Sequence, residues 1–245
     1  MVHASLRKIG LASTGFGEGG AEALLDALDE AVGADGTLIM ILGCETGQDA
    51  ADRLPEPERL ALLAEAEPFD PLEAPAMAEI GWLAEAIRRR PGTIVTDNPS
   101  GRFGARGRRA AALLEDAAWH DYYGPGSPLD RLCAWRGRIL RLGADPATVT
   151  ALHFAEYVAD LPAKRRVRRH FRIRSGDDVR IVAVDCLDDE HGIASWAGED
   201  YFALIVKAYL AEGRTPRGRV GGAQSELIEA ADIVRFGARW MEASL

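Results

Sequence analysis

Two kinds of apolar spacing divide this chain. Short continuous apolar runs mark strands covered on both faces, and apolar residues every three or four positions mark helices with one buried stripe. Gly36-Thr-Leu-Ile-Met-Ile-Leu42 is of the first kind and follows a turn, so it predicts a buried strand. Arg138-Ile-Leu-Arg-Leu142 and Ile94-Val95-Thr96 predict two more, and Val2-His3-Ala-Ser-Leu6 reads as the end of a strand. Residues 167–173 and 179–184 predict a hairpin around the turn Ser175-Gly-Asp-Asp178. Helical spacing covers residues 21–32, 56–66 and 79–90, the last with Ile80, Leu83 and Ile87 on one stripe and Pro91-Gly92 as its stop. Further helices are predicted over 108–118, over 128–135 with Pro128 in the first turn, and from His153 to position 159. Residues 201–210 and 226–243 complete the helices. Strands and helices interleave, which predicts an α/β protein: a single layered domain over 1–245 with a mixed central sheet flanked by helices.

Composition narrows the class. Hydrophobic residues make up 47% of 245, ordinary for a folded domain and too many for a disordered chain. No apolar run is long enough to span a membrane, and no charged stretch leads into an apolar one at the start, so neither an anchor nor a signal peptide is expected. Cys44, Cys133 and Cys186 are odd in number and form no CxxC pair, which fits buried thiols in a reducing cytoplasm and predicts no metal site. The net charge of −9 argues against a nucleic-acid partner and suits a cationic ligand.

Against that background few segments carry chemistry. Thr150-Ala-Leu-His153-Phe-Ala-Glu156-Tyr157 sets a histidine and a glutamate three residues apart, on one helix face. An imidazole titrates near neutrality and can take a proton at working pH, although such a pair is more often structural. Asp188-Asp-Glu-His191 follows a predicted strand; three adjacent carboxylates repel, so they mark either a solvated turn or a site for a cation. The glycines of residues 15–20 precede a helix without the Lys-Ser/Thr of a phosphate loop, and read as a turn. Lys164-Arg-Arg-Val-Arg-Arg-His-Phe-Arg-Ile-Arg174 alternates apolar and basic positions, as a strand with charges facing solvent does.

Taken in order, several motifs resemble the aminoglycoside 3-N-acetyltransferase family. They are Val2-His3-Ala-Ser5-Leu6, Gly36-Thr-Leu-Ile-Met40, Pro68-Phe-Asp-Pro71, Asn98-Pro99 with Phe103 and Gly107, and Gly126-Ser-Pro-Leu129 with Arg131. Gly137-Arg-Ile-Leu-Arg-Leu-Gly143, Leu152-His153 with Glu156, the acidic turn at 187–191 and Gly218-Arg-Val-Gly221 continue the pattern. The sequence departs from it at Ala4 (a family serine), at Asn98 (a family histidine) and at Val149 (a family asparagine), and the family's lead-in before Val-His is short here.

The resemblance implies the antibiotic acetyltransferase fold, distinct from the GNAT type. It implies acetyl transfer from acetyl-CoA to the 3-amino group of a 2-deoxystreptamine aminoglycoside, conferring resistance, by a monomer or homodimer. His153 is then the general base, with Glu190 and Asp188 as first candidates for its carboxylate partner and Glu156 as the second. Asp70, Glu67, Glu156 and Asp188 become candidates for binding the cationic sugar. His3, Ser5, Leu6, Ser100, Phe103 and Ser127 become candidates for holding acetyl-CoA, with Arg102 or Arg106 at its phosphates. The alternatives are the same transfer to another amine, and a protein that binds CoA or cationic sugars without turnover.

Overall fold

The computed structural model describes residues 1–11 and 17–245. Gly15 of the 15–20 cluster lies outside the described residues, and its later glycines open a helix. Among the described residues nine strands form three sheets. The largest is mixed, with order β1-β5-β9-β8: β1 (Val2–Ala4) runs parallel to β5 (Arg138–Leu142), and β9 (Ala223–Glu229) and β8 (Arg217–Val220) follow antiparallel. The second, β2-β4-β3, pairs β2 (Thr37–Ile41) with β4 (Phe103–Gly107) and β4 with β3 (Ile94–Val95). The third is the hairpin β6 (Arg166–Ser175) and β7 (Asp178–Leu187), as the sequence predicts.

The apolar run of β2 explains the layering. Ile39 and Ile41 enter one core with helices α7 (Ala151–Val158), α8 (Tyr201–Ala211) and α9 (Ala230–Ser244). Leu38, Met40 and Leu42 point the other way, into a core with α2 (Gly17–Val32) and α4 (Trp82–Arg89). A strand buried on both faces cannot alternate apolar with polar, which is why it reads as a continuous run. The short helices α1 (Leu6–Ile9), α3 (Glu56–Glu65), α5 (Ala110–Leu114) and α6 (Pro128–Ala134) complete the fold.

Three sequence expectations are corrected. The helix predicted over 226–243 begins only at Ala230, because Glu226 belongs to β9, where it faces Arg141 of β5 in register and pairs with it at 2.8 Å. Strand β4 was not predicted: Gly104 and Gly107 give it low strand propensity. Gly104 nevertheless fits where a Cβ would meet the Leu42 side chain at 3.2 Å. The helix predicted over 108–118 is shorter, since Glu115 is extended (ψ 136°) and Asp116 takes a positive φ of 45°.

Candidate active site

His153 occupies the first turn of α7, and two aromatic rings pack against its imidazole. Tyr123 stacks on it at 4.9 Å between centroids with an 11° tilt, and Phe202 of α8 meets it edge-on at 4.8 Å. One helical turn on, Glu156 is 1% exposed and places Oε2 2.8 Å from His153 Nδ1. Its other oxygen, Oε1, accepts the Tyr201 hydroxyl, so both carboxylate oxygens are engaged. An ionised carboxylate only accepts, hence Nδ1 carries the proton and Nε2 is the basic nitrogen. Burial of the ring opposes protonation. The Glu156 carboxylate, helped by Asp189 and Asp200, outweighs it and holds His153 above the ordinary imidazole value.

Two cavities meet at this ring. The larger, about 640 Å³, is lined by His3, Ser5 and Leu6, by the start of α4, and by the segment from Ala144 to Thr148. The smaller, about 260 Å³, carries the carboxylates of Glu156, Asp189, Glu190, Glu199 and Asp200, with no Lys or Arg among its described lining residues. His153 lines both. The His153 imidazole therefore stands between a mixed polar and apolar cleft and a strongly acidic one. That arrangement suits proton transfer from a cationic amine held on the acidic side.

Residues 1–242 match the model of a family described as aminoglycoside 3-N-acetyltransferase. The chain belongs to that family. It is 38% identical over 242 residues to aminoglycoside N(3)-acetyltransferase VII of Streptomyces paromomycinus, covering 96% of this chain and 84% of the relative. The solved binary complex of AAC-IIIb with CoASH superposes with a TM-score of 0.89 at 34% identity, covering 99% of this chain and 89% of the other. Sisomicin-bound AAC-VIa, determined by neutron and X-ray diffraction, superposes with a TM-score of 0.86 at 38% identity, covering 99% and 90%. The fold class expected from the sequence thus stands, as does the enzyme class: this aminoglycoside 3-N-acetyltransferase family member is an acyltransferase. No helix among the described residues is long and apolar enough to cross a membrane, and the described residues contain no cluster able to hold a metal ion.

The geometry reorders the family residues expected from the sequence. Glu156, placed second there, is the carboxylate at His153. Asp188 is buried and ties its own turn, accepting the backbone N–H groups of Glu190 at 3.3 Å and His191 at 3.0 Å. Burial pushes its carboxyl up, but those bonds and the His191 ring outweigh it and hold it below the usual range. Glu190 lines the acidic cavity with its side chain 66% exposed. Asp70 is occupied in accepting the N–H groups of Leu72 and Glu73, and Glu67 offers its carbonyl to Gln48; neither lines a cavity at His153.

On the other side, His3, Ser5 and Leu6 line the larger cavity, while Ser100, Phe103 and Ser127 do not. Ser100 bonds to the Tyr122 hydroxyl, Phe103 is a core residue, and buried Ser127 caps α6 by accepting the Asp130 N–H at 3.2 Å. Arg102 is corrected most firmly. It is wholly buried, and its guanidinium donates to the carbonyls of Gly43, Pro71, Ala74 and Pro75, so it is out of reach of a phosphate outside. Arg106 pairs with Asp29 at 2.5 Å. Sequence reasoning missed Tyr123, Asp189 and Tyr201. The Tyr122-Tyr123 pair in a loop was the available signal, since two adjacent aromatics there must find cover.

His3 adds a pH effect on stability. It is 6% exposed, its Nε2 has no hydrogen-bond partner among the described residues, and burial, then the N-terminal ammonium and Arg141, push its value down to about 3. Between that value and about 6.5 the unfolded chain binds a proton here that the folded chain does not, so stability falls as the pH drops below 6.5. At pH 5 the loss is about 2 kcal/mol, from 1.36 kcal/mol per pH unit. His153 has the opposite sign: its contribution is complete below 6.5 and is lost as the pH rises through its raised value. Urea unfolding of wild type and His3→Gln between pH 7 and pH 5 isolates the His3 part as the difference between the two proteins. A constant difference across that range contradicts it.

Proposed function

We propose that this chain acts as a single-domain enzyme that transfers acetyl from acetyl-CoA to the 3-amino group of a 2-deoxystreptamine aminoglycoside, with His153 as general base. The observation that carries this reading is the position of His153, backed by Glu156, where the two cavities meet. The acidic cavity suits a polycationic sugar, whose ammonium groups make charge-assisted hydrogen bonds to carboxylates. The larger cavity, lined by residues 3–6, suits the acyl donor. Sisomicin and CoASH are bound by relatives of this fold, which supports both assignments.

In the reaction, the ammonium loses one proton to solvent and attacks the thioester carbonyl carbon as the amine. His153 Nε2 takes the second proton as the C–N bond forms. Glu156 supports the imidazolium that results and fixes the ring by its bond to Nδ1. The C–S bond then breaks, the electron pair goes to sulfur, and the imidazolium returns its proton to the CoA thiolate. Amide and free thiol are the products, so thiol release follows turnover directly. Incubating the protein with acetyl-CoA and an aminoglycoside panel is expected to release thiol and to give a product acetylated at the 3-amino group by NMR. Release with another amine, and with no aminoglycoside, contradicts the assigned substrate.

A further inference from the structure

The basic run of β6 does not face solvent throughout. Arg166 and Arg168 do, pairing with Asp121 and Asp185 at the surface, but Arg169 turns inward on the face of Phe171 and Ile173 and its side chain is 17% exposed. A cation withdrawn from water needs close partners. Its Nη1 lies 2.6 Å from Asp189 Oδ1, 3.0 Å from the Tyr122 hydroxyl and 3.2 Å from Ser100 Oγ. The Tyr122 hydroxyl in turn donates to Asp189 Oδ2 at 2.6 Å. Arg169, Tyr122 and Asp189 thus close a ring in which each touches the other two.

We propose that Arg169 is a positioning residue for the amine acceptor: with Tyr122 it fixes the Asp189 carboxylate on the wall of the acidic cavity. Three observations support this. Asp189 lines that cavity beside His153 and Glu156. Both of its oxygens are held from behind, Oδ1 by the 2.6 Å ion contact with Arg169 and Oδ2 by the Tyr122 hydroxyl. Glu190, next in sequence, is mostly exposed and reaches Arg169 only at 3.9 Å, so it is not held in the same way. Arg169 offsets part of the charge of Asp189, and what the clamp adds is therefore orientation: an acceptor held in place before the ammonium arrives loses less freedom on binding.

This inference rests on the acetyl-transfer reading, and the experiment separates the two. With acetyl-CoA and an aminoglycoside that the wild type turns over, Arg169→Met is expected to raise KM for the amine about tenfold and to leave KM for acetyl-CoA within about twofold, tenfold being 1.4 kcal/mol. Arg169→Lys, which keeps a point charge without the planar fork, is expected to fall between wild type and Arg169→Met. Tyr122→Phe, which keeps the ring, is expected to raise the amine KM several-fold and serves if Arg169→Met does not fold. In an Asp189→Asn background the Arg169→Met effect is expected to vanish, because the group it positions is gone. Equal rises in both KM values, an unchanged amine KM, or an undiminished effect in the Asp189→Asn background would overturn the proposal. Absence of thiol release by the wild type with any aminoglycoside overturns the functional reading instead.

Discussion

Replacing His153 with alanine is expected to lower kcat for acetyl transfer by about 10²–10⁴, the usual contribution of a positioned acid–base group. The donor KM is expected to change little, because His153 supplies one edge of a cavity whose other walls come from residues 3–6, α4 and the segment from Ala144 to Thr148. Glu156→Gln keeps the shape and removes the charge, so a smaller loss is expected in kcat. The pair is not isolated: Tyr201 holds the second oxygen of Glu156, and Tyr123 and Phe202 fix the imidazole. Stopped-turnover thiol assays on the two variants, with acetyl-CoA binding measured separately, check this. Full activity in His153→Ala contradicts the assigned role.

The second large effect is on stability. Arg102→Met is expected to destabilise the fold by about 3–5 kcal/mol, the range for removing a buried charged group whose partners stay behind unpaired. Its guanidinium satisfies four carbonyls from two segments: Gly43 after β2, and Pro71, Ala74 and Pro75 in the loop between α3 and α4. It also lies 5.4 Å from the Phe69 ring centroid. Arg102→Lys keeps the charge but cannot reach four acceptors from one ammonium, so most of the loss is expected to remain. Urea unfolding at pH 7 measures both. A loss under about 1 kcal/mol, together with a raised KM for acetyl-CoA, would return Arg102 to the phosphate role that its sequence context suggests.

Arg102 illustrates where sequence reading ends. An arginine in a Ser-Gly-Arg-Phe turn looks like a surface cation, because nothing local announces that two distant carbonyl-bearing segments close over it. β2 and the β6–β7 hairpin were legible, since their apolar spacing and turn residues are local signals. β4 and β8 were not: both are rich in glycine or arginine and are strands only because a neighbour supplies hydrogen bonds in register. In the site, His153 was legible from its helix and its motif. Its partner was not settled by spacing, because an i,i+3 glutamate is most often structural and the acidic turn offered two rivals, Asp188 and Glu190. Which of the carboxylates in Asp188-Asp189-Glu190 faces the cavity depends on how the turn closes. Asp188 closes it by accepting two backbone N–H groups, and that leaves Asp189 to face inward.

The proposed role of His153, backed by Glu156, is that of base for acetyl transfer to an amine. Its most direct test is the pH dependence of kcat/KM for the aminoglycoside, at saturating acetyl-CoA, in wild type and Glu156→Gln. A base must be neutral to act, and Glu156 raises the value at which His153 becomes neutral. An acid limb above about 6.5 is therefore expected in the wild type, moving to lower pH in the variant. An acid limb at the same pH in both proteins would contradict it.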